Sequence, residues 1–127
     1  MQRRHLAAAA GALVCLATCA GCGAKTASPA PKASQQQMAA AGAKLYKQHC
    51  QSCHGANLQG GLEVAGATSA NIRWSELKKS YTATTLVRAI MQGKDETDSP
   101  LDAAMPRWHG TLTTGQVNEI IAYLKTK

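Results

Sequence analysis

Phenylalanine is absent from this sequence of 127 residues, and other aromatics are scarce, with two Trp and three Tyr. Rings of that kind ordinarily fill small cores, because they bury the most area per residue. A domain this short has a marginal core in any case, so something else bulky and apolar must stand at its centre. Acidic residues are few as well: seven Asp and Glu against fourteen Lys and Arg, a formal charge of +7. Four of them, Asp95, Glu96, Asp98 and Asp102, gather in one stretch that reads as a solvated loop, with a docking patch as the alternative. With no companion base there, the sequence offers neither a carboxylate dyad nor a nucleophile–base pair for catalysis. No alternating pattern announces a strand and no internal repeat occurs. Cysteine is scarce too. Of five, Cys15, Cys19 and Cys22 lie near the N-terminus, which leaves Cys50 and Cys53 for the rest of the chain.

The N-terminal segment reads as an export signal. Arg3 and Arg4 form a positive start, and residues 6–19 are uniformly small or apolar. Such a run is too short to span a bilayer and fits a secretory h-region. Ala20-Gly21-Cys22 resembles the lipobox of bacterial lipoproteins, in which the Cys is lipidated and becomes the new N-terminus. A competing frame, Leu16-Ala17-Thr18-Cys19, would put the lipid on Cys19 instead. The resemblance implies a lipid bilayer as a partner and a place on a membrane facing the periplasm or the cell exterior. Residues 1–21 are then the signal, and residues 22–36 an anchor Cys and a tether rich in Ala, Pro, Ser and Gln. Residues 37–127 form the folded domain. Losing Arg3 and Arg4 takes the charge from +7 to +5. Export removes nucleic acid as a partner, although basicity alone would raise it.

Cys50-Gln51-Ser52-Cys53-His54 is the C-x-x-C-H signal of covalent haem attachment. On a helical turn, residues i, i+3 and i+4 share a face, so two sulfurs and an imidazole address one object. The thiols can form thioethers with the two haem vinyl groups, and His54 can reach the iron from one side. An exported chain meets an oxidising compartment, where an unclaimed pair would become a disulfide. A zinc site would need a fourth ligand, and His49 and His109 make a poor set. Two propionates on such a haem would lower the charge from +5 to about +3.

Helices are expected over residues 38–51, 84–92 and 113–124, with a short one over 75–79 and a loop over 55–73. Gly93 is the stop of the second, and Thr113 with Gln116 the capping box of the last. The fold class is therefore all-α, a bundle of three to five helices around one haem.

For the other side of the iron the candidate is Met105. A thioether is a soft neutral donor, and Pro106 stiffens the loop that presents it. Rivals are Met91, whose spacing with Leu86, Val87 and Ile90 marks it as core, His109, and His49, which is expected to face solvent.

From residue 38 to 127 the chain resembles a small bacterial class I cytochrome c with a single haem. The residues that carry this are Gly42 and Tyr46, Cys50 through Gly55, Met105-Pro106-Arg107-Trp108, and Ala122-Tyr123-Leu124. The resemblance implies that Gly42 and Tyr46 meet Ile120 and Tyr123 where the first and last helices cross. It also implies that Arg73 and Trp74 lie near a haem propionate, or that Trp74 fills core space; Arg107 and Trp108 have the same two readings. Gly60-Gly61 and Gly66 depart from the Gly-Pro loop that supports the proximal His in that family. The implied function is one-electron transfer by haem c with redox partners such as a dehydrogenase, reductase or oxidase, and no enzymatic activity. The alternatives are a gas sensor or peroxidase-like enzyme, if the Met is labile, and an electron-transfer subunit of a dehydrogenase or oxidase complex.

Overall fold

The computed structural model describes residues 32–127. The signal, Cys19, Cys22 and the tether up to residue 31 lie outside the described residues. The element order is α1 (Lys32–His49), α2 (Gln51–His54), β1 (Glu63–Val64), β2 (Ala67–Thr68), α3 (Trp74–Leu77), α4 (Ala83–Gln92) and α5 (Thr114–Leu124). The fold is mostly helical, as the sequence predicts.

Helix α1 starts at Lys32, before the expected residue 38, so residues 32–36 are helical where their composition reads as tether. Lys, Ala and Gln are strong helix formers, and residues 35–38 are helical although exposed. The packed part of α1 crosses α5. At Gly42 an added Cβ would lie 1.8 Å from the Glu119 carbonyl oxygen and 2.9 Å from the Ile120 nitrogen. Only hydrogen fits there. One turn on, the Tyr46 ring meets Tyr123 with centroids 5.4 Å apart. This is the crossing implied by the family resemblance.

The core around this crossing comprises Tyr46, Leu58, Leu86, Leu112, Val117, Ile120, Ile121 and Leu124. Helix α5 supplies four of these on one face and is capped as expected: Thr113 Oγ1 accepts from Gln116 N–H, and Gln116 Oε1 accepts from Thr113 N–H. Helix α4 has the same device built from Thr82 and Thr85, which moves its start to Ala83. A Thr at the third position is a weaker sequence signal than Glu or Gln. Gly93, left-handed at φ 67°, ends it.

The absence of strands needs one correction. Glu63↔Thr68 and Val64↔Ala67 pair as a two-residue antiparallel ladder, turned by Ala65 and Gly66 at φ 50° and 84°. Two residues are too few to show a period of two. None of the described helices is long and apolar enough to cross a membrane.

Candidate haem site

Cys50 sits at the joint between α1 and α2. Its N–H donates to Tyr46 O at 2.8 Å, and its own carbonyl accepts from Cys53 N–H at 3.2 Å and His54 N–H at 2.9 Å. The turn therefore keeps the i, i+3, i+4 spacing that brings two sulfurs and an imidazole together. Both thiols are free and half-buried. Burial, and then the neighbouring Cys53, push the Cys50 thiol up to about 11, so it is a protonated thiol at neutral pH.

The His54 ring is oriented by the loop that follows it. Its Nδ1 lies 3.0 Å from the Ala70 carbonyl oxygen; a carbonyl only accepts, so Nδ1 carries the proton and Nε2 keeps its lone pair for a metal. The loop reaches this position through Gly60, whose N–H donates to His54 O at 3.0 Å. A Cβ on Gly60, at φ 63°, would sit 2.3 Å from Ala70 O and 2.4 Å from Ser69 O. Gly61 and Gly66 have open space around them. Gly60 is thus the glycine that lets the chain come back to the imidazole. The acceptor itself left no mark in the sequence, because a backbone carbonyl carries no residue identity. Nor does the sequence mark the Tyr46 hydroxyl, which donates to Gly55 O at 2.5 Å and holds the end of the attachment turn.

Met105 is half-buried in a bend after Asp102, whose carbonyl accepts its N–H at 3.1 Å. Helix α4 holds the following residues: Trp108 N–H donates to Ile90 O at 3.2 Å and His109 N–H to Met91 O at 3.1 Å. Trp108 then meets the attachment region, for its ring packs edge-on against His49 with centroids 5.0 Å apart. His49 was expected to face solvent, and this is a correction. The partner that half-buries it lies 59 positions away, beyond any helical periodicity. Met91 packs on the core, as its spacing predicts, and His109 is exposed.

Arg73 donates from Nε to Asn57 O at 3.0 Å, and Lys125 Nζ stands 5.2 Å from the Trp74 ring centroid. Trp74 is half-buried against the core. A surface groove of about 390 Å³ is lined by Ala56, Asn57, Leu58, Arg73, Ser75 and Lys127. None of Cys50, Cys53, His54 or Met105 borders it. Arg107 bonds three backbone carbonyls of the Met105 loop.

The residues present fit a covalent haem. Two free thiols share a turn with an imidazole whose Nδ1 is already engaged, which leaves Nε2 free. Cys50 packs on the core together with Ile72, Leu77, Tyr81, Val87, Ile90, Met91 and Trp108, apolar side chains that are only partly buried. Among the described residues no three His, Cys, Asp or Glu side chains converge as a ligand set, which a bare zinc ion would need.

Residues 37–124 match the family described as cytochrome c oxidase, cbb3-type, subunit III. One curated relative, the cbb3-type cytochrome c oxidase subunit FixP of Bradyrhizobium sp. (strain ORS 278), is 33% identical over 86 residues. That alignment covers 68% of this chain and 26% of the relative, so the chain spans about a quarter of that protein's length. No solved structure matches.

Proposed function

The chain belongs to the c-type cytochrome family of cbb3-type oxidase subunit III, and on that premise we propose that it is a membrane-anchored one-electron carrier with His54 and Met105 as its iron ligands. Haem c supplies the reversible change between Fe(III) and Fe(II). The observation that carries the reading is the turn Cys50–His54, where the bond from His54 Nδ1 to Ala70 O leaves Nε2 free to ligate. Cys50 and Cys53 are the attachment sulfurs. Met105 donates its thioether from the loop that α4 and the His49–Trp108 contact hold in place. Arg73 and Trp74 stand ready to stabilise a partly buried propionate. Arg107 has its guanidinium committed to carbonyls of its own loop, so it is not assigned that role. Cys22 is the lipid-bearing residue, and it places the domain on the periplasmic or outer face of a membrane.

The relative's name favours one setting for this activity, in which the domain delivers electrons to a terminal oxidase as a subunit or close partner. Co-purification of the intact chain with oxidase activity tests that setting.

The experiment for the ligand set is an absorption spectrum of the membrane fraction in both redox states, with and without carbon monoxide. Two protein ligands saturate the iron, so the wild type should be low-spin and ignore carbon monoxide at neutral pH. Met105→Ala should bind it and lose the Met–iron charge-transfer band, whereas Met91→Ala should keep the band and lose about 2 kcal/mol of stability through packing. Rapid carbon monoxide binding by the wild type would instead favour the gas-sensing or peroxidase-like reading.

A further inference from the structure

The Met105 loop is organised around one side chain. Arg107 Nη1 donates to Asp102 O at 3.1 Å and, more closely, to Met105 O, while Nη2 donates to Leu101 O at 2.9 Å. Three carbonyls separated by up to four positions therefore turn toward a single guanidinium. Left together without a cation, those dipoles would repel one another. A planar fork can serve all three from two separate nitrogens in fixed positions, whereas Lys would have to serve them from one.

The guanidinium is also placed from beneath. Gly93 ends α4 in the left-handed conformation and is buried. A Cβ there would lie 2.0 Å from Arg107 Nε, 2.2 Å from Cζ and 2.3 Å from Cδ. The Arg side chain thus lies across the bare backbone at the C-terminal end of α4, where a positive charge is favoured by the helix dipole. Leu101 N–H donates to Gly93 O at 2.8 Å on one side of the loop, and Trp108 and His109 bond the last carbonyls of α4 on the other. Between these pins, Arg107 ties Leu101, Asp102 and Met105 together, and Asp102 Oδ1 accepts from Ala104 N–H at 2.8 Å within the same stretch.

We propose that Arg107 is the positioning residue of Met105, holding its backbone so that the thioether would stay on a bound haem iron. This rests on the reading of Met105 as ligand. Arg107 is exposed, so solvent screens its bonds and its effect on global stability is small. Its effect on the local equilibrium between a bound and a swung-out Met105 is large, because one of the three carbonyls belongs to Met105 itself.

The test measures exogenous imidazole affinity, the Met–iron charge-transfer band and thermal stability in the wild type, Arg107→Gln, Arg107→Lys and the core variant Leu124→Ala. Imidazole can enter only when Met105 leaves, so its apparent affinity reports the swung-out fraction. Arg107→Gln should raise that affinity by about tenfold and weaken the band, with a small change in melting temperature. Arg107→Lys should fall between it and the wild type, since a point charge cannot span three carbonyls. Leu124→Ala should melt lower while keeping the band and the wild-type affinity. If Arg107→Gln does not accumulate, the affinity and band of Arg107→Lys decide. Wild-type affinity and band in the Arg107 variants, or an equal shift in Leu124→Ala, would overturn the positioning role alone. A wild type without the band would overturn the ligand reading, and the role with it.

Discussion

The hydroxyl of Tyr46 reaches the carbonyl of Gly55, 2.5 Å away, across the whole attachment turn. Tyr46 is 1% exposed and its ring packs against Tyr123 at a tilt of 42°, so this one side chain joins the helix crossing to the residue after His54. Burial, with smaller contributions from Cys50 and Tyr123, raises its pKa well above the ordinary phenol value, so the hydroxyl keeps its proton and remains a donor at neutral pH.

Tyr46→Phe keeps the ring and removes the bond. It leaves a half-buried carbonyl short of a partner, which costs about 1–2 kcal/mol. Chemical denaturation of the holoprotein should show that loss, with haem still attached. An unchanged midpoint would mean that water replaces the hydroxyl without penalty.

Gly42→Ala tests the crossing of α1 and α5. The new methyl would have to occupy the space of the Glu119 carbonyl, 1.8 Å away. The helices must separate, at a cost of about 3 kcal/mol. A urea midpoint close to the wild type's would show that the crossing is looser than its geometry.

The proposed lipid anchor at Cys22 has a direct test. The mature protein should partition into detergent, and Cys22→Ser should release it or block its processing. If Cys19→Ser alone abolished lipidation, the other frame would be the one used.

The acid range is set partly by Asp95. Its carboxylate accepts from the Thr97 hydroxyl, Thr97 N–H and Ser99 N–H, each at 2.8 Å. These bonds, led by the Thr97 hydroxyl and helped by the nearby Arg88, hold its pKa below the usual carboxylate value. A group depressed in the folded state stabilises it above the unfolded value, and that contribution is lost as pH falls through the folded value. Asp95→Asn should therefore be less stable than the wild type at neutral pH. The gap should close as the pH drops through the carboxylate range, which a series of thermal melts would show.

Much of this protein was determined by its sequence alone. Cys50, Cys53 and His54 are chemically specific at that spacing, and the signal of a turn that gathers them is local. Thr113 with Gln116, and Gly93 after α4, are also short-range devices, so the helix ends could be read in order. The Gly42 crossing was legible only by resemblance, because a small residue has no pattern of its own. What the tertiary structure decided has a common cause. The Ala70 carbonyl on His54, the Trp108 edge on His49 and the three carbonyls around Arg107 join backbone atoms or distant side chains. Backbone groups are the same at every residue, and distant partners follow no period. Gly60 shows the division most clearly: the sequence displays Gly60, Gly61 and Gly66 after the attachment turn, and only the approach of Ala70 to His54 shows which of them leaves no room for a Cβ.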